Sequence, residues 1–85
     1  MDTITCVPTL LLFAQAREAA GTGSAHIAGN TVDEVLTQAV ATFGQNFADV
    51  LANSKVWVNG DEVPRSHSLT DKDEVAVLPP VSGGM

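Results

Sequence analysis

The residues of this chain that can do chemistry are few and scattered. Cys6 is the only thiol. It lies in an apolar stretch with no histidine near it in sequence, so it reads as a small buried hydrophobe rather than an activated nucleophile. His26 and His67 are far apart, and no Cys-x-x-Cys or His-x-x-x-His pair offers zinc-ligand spacing. Each histidine reads as a surface or loop group. Asp71, Asp73 and Glu74 crowd around Lys72, but paired-carboxylate catalysis needs environments that push the two pKa values apart. The run Leu69-Thr70-Asp71-Lys72-Asp73 reads more simply as a turn with solvated charges. Gly21-Thr22-Gly23 is too short for a phosphate-binding loop. Trp57, between Val56 and Val58, reads as core or sheet surface rather than a base-stacking platform.

What remains is Leu78-Pro79-Pro80-Val81-Ser82-Gly83-Gly84-Met85. Prolines lack an N–H and fix φ, so Pro79 and Pro80 end a strand and stiffen the exit. Gly83 and Gly84 carry no side chain, so a narrow slot on a partner admits their backbone. A tail stiff at its root and thin at its tip suits presentation of a carboxylate to another protein. The plainer reading is a frayed terminus.

Composition sets the bounds. Eighty-five residues make one domain, with 45% hydrophobic residues to build a core. No run approaches the ~18 apolar residues of a membrane span. Met1-Asp2-Thr3-Ile4 lacks the basic start of a signal peptide. A single cysteine fits a reducing compartment, and the expected location is the cytoplasm. Net charge is −6, from ten acidic and four basic residues. That argues against nucleic acid and favours basic protein partners.

The elements that must position the tail follow from patterning. Thr9-Leu10-Leu11-Leu12-Phe13-Ala14 is an apolar run that predicts a strand covered on both faces, starting after Pro8. Gln15 to Ala20 predicts a short helix stopped by Gly21, and Ser24 to Ala28 a weak strand closed by Gly29-Asn30. Thr31-Val32-Asp33-Glu34 matches a capping box. Val32, Val35, Leu36, Ala39, Val40 and Phe43 then fall at spacings of three and four, which make one buried stripe. Gly44 stops that helix, and Phe47, Val50 and Leu51 predict a short second segment. Val56-Trp57-Val58, the turn Asn59-Gly60 and an edge strand Asp61-Glu62-Val63 read as a hairpin. Glu74 to Leu78 is the last strand. The order predicts an α+β roll, one mixed sheet with a helix packed across it. Residues 1–78 form the domain and 79–85 the tail.

Taken together, Leu12-Phe13-Ala14-Gln15-Ala16-Arg17-Glu18-Ala19-Ala20-Gly21, the helix opening at Thr31, Val58-Asn59-Gly60, and Leu69-Thr70-Asp71-Lys72-Asp73-Glu74-Val75 closely resemble the small, sulfur-carrying subunits of molybdopterin synthases. The tail Leu78 to Gly84 completes the pattern, which runs from about Thr9 to Gly84. The resemblance implies the β-grasp, or ubiquitin-like, roll. It also implies a mechanism. An ATP-dependent, E1-like enzyme adenylates the terminal glycine, sulfur displaces AMP to leave a thiocarboxylate, and the large synthase subunit takes in the loaded tail. Sulfur then passes to a pterin precursor of the molybdenum cofactor. Carried onto this sequence, Gly84 is the modified residue and Gly83 its slot-threading neighbour, with Pro79, Pro80, Val81 and Ser82 lying along the partner. No metal or cofactor is expected on this chain, and ATP belongs to the activating partner.

Three points stay open at the level of sequence. The same chemistry serves sulfur carriers of thiazole or cysteine synthesis, and an inert β-grasp interaction module is a further alternative. Phe13 and Leu78, which end the first apolar run and the last strand, are candidate docking residues, with core packing as the alternative. Finally, Met85 follows Gly84, so an amide stands where the family presents a carboxylate. The 85-residue form is therefore expected to be inactive, either as a precursor trimmed by a peptidase or because Met85 is a residue added to the natural chain.

Overall fold

Successive side chains of a strand point to opposite faces, and the first strand displays this directly. In the computed structural model, which describes residues 6–80, β1 (Thr9–Leu12) buries Leu10 and Leu12 and leaves Thr9 and Leu11 half-exposed. The expectation of cover on both faces is therefore corrected. Helices lie over one face only, and the apolar Leu11 belongs to the open one. The strand also ends two residues early. Phe13 turns out of it to occupy the N-cap of α1 (Ala14–Ala20), and its carbonyl accepts from the N–H groups of Ala16 and Arg17. Gly21 closes α1 in the left-handed conformation, as the sequence predicts.

The sheet has the order β2-β1-β5-β3-β4. β2 (Ser24–His26) is shorter than the expected Ser24 to Ala28, and pairs antiparallel with β1. β5 (Glu74–Leu78) lies parallel to β1 and antiparallel to β3 (Lys55–Val58). β4 (Asp61–Glu62) is the far edge and stops before Val63. The β3–β4 turn places Asn59 at φ 53° and Gly60 at φ 91°. Two consecutive left-handed residues are what a tight two-residue hairpin requires, which is why Asn-Gly marks it.

α2 (Val32–Phe43) crosses the covered face and buries Val32, Val35, Leu36 and Ala39. Its capping box forms with one difference from the pattern. The Glu34 N–H donates to Thr31 Oγ1 at 3.2 Å, but the Glu34 carboxylate accepts from the N–H of Asn30, at 2.7 Å, rather than from that of Thr31. Just upstream, a Cβ on Gly29 would come 2.7 Å from Val35 Cγ2 and 2.7 Å from the Val35 backbone nitrogen. Only glycine lets the chain pass so close to the helix start. α3 (Gln45–Ala52) follows after Gly44 and buries Phe47 and Leu51. Phe43 and Phe47 meet across that corner with ring centroids 5.3 Å apart in a tilted pair.

The core joins Leu10, Leu12, Val58, Val75 and Val77 of the sheet to Ala16 of α1, the buried stripe of α2, and Phe47 and Leu51 of α3. Among the described residues no charged or polar residue is buried in it. This is the α+β, β-grasp arrangement: β1 and β5 side by side and parallel, β2 outside β1, the β3–β4 hairpin outside β5, and helices across one face.

Candidate functional site

β5 is the centre of the sheet, and that decides how the chain leaves the domain. Leu12 pairs with Val77 on one side, and Val56 and Lys55 pair with Val77 and Leu78 on the other. A strand hydrogen-bonded along both edges is held in position to its last residue. Pro79 and Pro80 follow at once, Pro79 half-buried and Pro80 exposed. Neither donates an N–H, so the sheet cannot extend through them. The tail thus follows directly on the central strand of the sheet. The remaining residues assigned to the site, Val81, Ser82, Gly83, Gly84 and Met85, lie outside the described residues.

Phe13 and Leu78 both lie at this end, each directly following a residue of the last β1–β5 pair, Leu12–Val77, although Phe13 has already turned out of the strand into the N-cap of α1. Phe13 is 45% exposed, one of the two large apolar side chains left open on the described surface. It is not a core residue. Leu78 is half-buried on the open face. In the same face lie Leu11, Ala76 and Trp57, set in register across β1, β5 and β3. Glu62 on β4 stands opposite Trp57. Leu11, Ala76, Trp57 and Leu78 thus make an apolar patch, bordered by acidic Glu62 and Glu74 and by Lys55 opposite Leu78, that ends where the tail begins, with Phe13 just beyond the end of β1. Sequence reasoning found Phe13 and Leu78 at the tail end of this patch. It missed Leu11 and Ala76, because the run Leu10-Leu11-Leu12 does not say which face is covered.

The loop before β5 also differs from its reading as solvated charge. Asp73 Oδ1 accepts from the Asn59 side-chain amide at 2.9 Å, and Oδ2 accepts from the Thr70 N–H at 2.9 Å. The Asn59 side-chain oxygen Oδ1 in turn accepts from the Glu74 N–H. These bonds tie the hairpin turn to the start of β5. The Asn59 amide first, and the Thr70 N–H after it, hold the Asp73 carboxyl below its ordinary value of 3.8. Asp71 accepts from the N–H of Val7 at 2.8 Å, which anchors the segment entering β1. These carboxylates are brackets that set strand ends, not an acid–base pair.

The other candidates stay apart. His26 and His67 are exposed, and Cys6 is half-buried with its N–H on the Asn30 side chain. Among the described residues no three His, Cys, Asp or Glu are grouped to hold a metal. A groove of about 580 Å³ beside α2 is lined by Asp33 and Glu34, but both carboxylates are engaged, on Arg65 and on the Asn30 N–H. No helix among the described residues is long and apolar enough to cross a membrane.

Comparison with known proteins agrees with this geometry. The chain is 43% identical over 79 residues to the molybdopterin synthase sulfur carrier subunit of Escherichia coli (strain K12), covering 88% of this chain and 96% of that one. Its fold is similar to the solution structure of small archaeal modifier protein 1 from Methanosarcina acetivorans, with TM-score 0.85 and 27% identity over 96% of this chain and all of that one. The Haloferax volcanii HVO 2177 protein is similar too, with TM-score 0.79 and 31% identity, covering 99% of this chain and 92% of that one. A family model described as the ThiS family matches residues 10–84. That match begins inside β1, includes the strand that launches the tail and ends at the second of the paired glycines: the chain belongs to the ThiS family.

Proposed function

We propose that this chain is the sulfur carrier of a molybdopterin synthase, with Gly84 as the residue that is loaded. The observation that carries this reading is the 43% identity, over nearly the whole length of both chains, to a protein of that name. The launch geometry supports it. A carboxylate is a poor electrophile, so the chemistry needs activation by ATP on a partner. One Gly84 carboxylate oxygen attacks the α-phosphorus of ATP, and pyrophosphate leaves. A sulfur nucleophile then attacks the acyl carbon, AMP leaves with the electron pair, and a thiocarboxylate remains. The large synthase subunit receives the loaded tail and transfers its sulfur to the pterin precursor. This chain supplies the acyl group and the docking surface, and the catalytic groups and ATP belong to the partners.

Met85 follows Gly84 in the sequence, so the Gly84–Met85 peptide bond must be hydrolysed first, by a peptidase. The setting we propose is the cytoplasm, where ATP and reduced sulfur are available. The likeness to a protein named a modifier favours a second reading, in which a lysine amine, rather than sulfur, captures the activated acyl group.

The test is intact mass after incubation with an E1-like activating enzyme, ATP and sulfide, comparing the full chain with a version ending at Gly84. The shorter version gains about 16 Da, oxygen replaced by sulfur, and the intact full chain gains nothing. Gly84→Ala in the shorter version loses about 100-fold in sulfur delivery, because a Cβ clashes in a slot shaped for bare backbone. Thiocarboxylation of the intact full chain overturns the assignment of Gly84. Sulfur delivery to a thiazole synthase but not to a pterin-binding large subunit overturns the pathway. A shorter version that forms no acyl-adenylate favours the inert module.

A further inference from the structure

Trp57 is the chain's single tryptophan, and it sits in the middle of the open sheet face, opposite Ala76 on one side and Glu62 on the other. Its side chain is only partly buried. Yet its indole nitrogen is covered and, alone among the buried side-chain polar atoms of the described residues, has no hydrogen-bond partner. A buried donor without an acceptor is unfavourable, and native folds rarely keep one without a use. The apolar atoms of the ring pack well enough on a sheet surface, where phenylalanine would serve equally. The N–H is what the fold leaves unexplained.

We propose that Trp57 is a docking and specificity-determining residue, whose indole N–H turns outward to donate to a main-chain carbonyl of the large synthase subunit. This rests on the function proposed above. Three features on the same face support that occupant. The patch Leu11, Ala76, Trp57 and Leu78 is continuous with the root of the tail at Pro79. Pro79 to Gly84 is six residues, which reach at most about 20 Å fully extended. A protein that takes in Gly84 must therefore stand close against this end of the sheet. Two carboxylates, Glu62 and Glu74, and one cation, Lys55 opposite Leu78, border the patch, and with the chain's net charge of −6 the balance fits a partner surface whose border is mostly basic. Trp57 is only partly buried on the open face, and the proposal requires its ring to turn so that the N–H reaches the interface. Docking converts an unpaired donor into a paired one, and the pairing is realised only in the complex. Tryptophan's place among the residues that dominate interfaces has the same basis: a large apolar body with one polar handle.

Trp57→Phe removes the N–H and keeps an aromatic ring. In titrations of the full chain with the large synthase subunit of the same organism, this variant binds about tenfold more weakly. Its Tm is equal to or above the parent's, because the unpaired donor is gone. Fluorine NMR of the chain labelled with fluorotryptophan shows the Trp57 resonance shifting when the large subunit is added. A Tm several degrees below the parent's would mean that the N–H has a structural partner, and overturns the proposal. So does unchanged affinity for the large subunit, including the case in which only affinity for the adenylating enzyme falls. An unmoved fluorine resonance in the complex overturns it as well. Failure of the parent chain itself to bind the large subunit sinks the proposed function and this inference together, whereas parent binding that survives Trp57→Phe sinks this inference alone.

Discussion

The two faces of the one sheet are made from nearly the same residue types and do opposite work. On the covered face Leu10, Val75 and Val77 are fully buried, and Leu12 and Val58 nearly so. On the other, Leu11, Ala76, Trp57 and Leu78 stay half-exposed and Phe13 stands open. Each strand feeds both faces by simple alternation. What separates them is that α1, α2 and α3 all pack on one side. Burial of an apolar side chain contributes roughly 1.5–3 kcal/mol. On the covered face that contribution is realised in the fold itself. On the open face it is not realised within the described domain. The lesson is that in a domain this small the core takes one face of the sheet, which leaves the other free for the docking role proposed above.

That contrast can be broken most severely on the covered side. Leu12→Ala leaves a cavity between β1 and the helices, and a loss of about 3–5 kcal/mol is expected. For a small domain that is a large share of total stability. Urea unfolding measures it, and a loss below about 1 kcal/mol would show that Leu12 does not belong to the closed core.

An intermediate effect is expected at Phe13. Phe13→Ala changes stability by less than about 1 kcal/mol, because the residue lies outside the core and is already nearly half-exposed. Binding to a tail-accepting partner weakens about ten- to a hundredfold, as for a truncated aromatic anchor. Calorimetry of the complex alongside thermal unfolding separates the two outcomes. A large stability loss with unchanged binding would move Phe13 to the covered side of the comparison.

The smallest effect sharpens the picture at the bracket that fixes the start of β5. The folded-state pKa of Asp73 is lowered, chiefly by the Asn59 amide. A lowered carboxyl pKa stabilises the fold above the unfolded value and loses that contribution as pH falls through the folded value. The window therefore lies around and below 3.8, the ordinary value of the group. The site is exposed, so screening keeps the effect small. Asp73→Asn lowers Tm by about 1–3 °C at neutral pH, and the difference closes on acidification through that window. A difference that persists unchanged below it would assign the effect to geometry rather than charge.

Much of this was legible in sequence. The Thr31 cap and the stripe from Val32 to Phe43 specify α2 because helical spacing and capping are local properties. Asn59-Gly60 specifies its turn because few residues accept left-handed φ at two consecutive positions. The paired prolines and glycines define the tail by what they lack, an N–H and a side chain. Three things were decided only by tertiary structure. Leu10-Leu11-Leu12 offers three equivalent side chains, and only the placement of the helices on one side makes Leu11 a surface residue and Leu10 a core residue. Asp73 and Asn59 are 14 positions apart, and their bond exists only once β3 and β5 lie side by side. The root of the tail is held because β5 lies between β1 and β3, partners drawn from well-separated parts of the sequence. Local chemistry is written in neighbouring residues, whereas the choice of an exposed face depends on which elements meet across the whole chain.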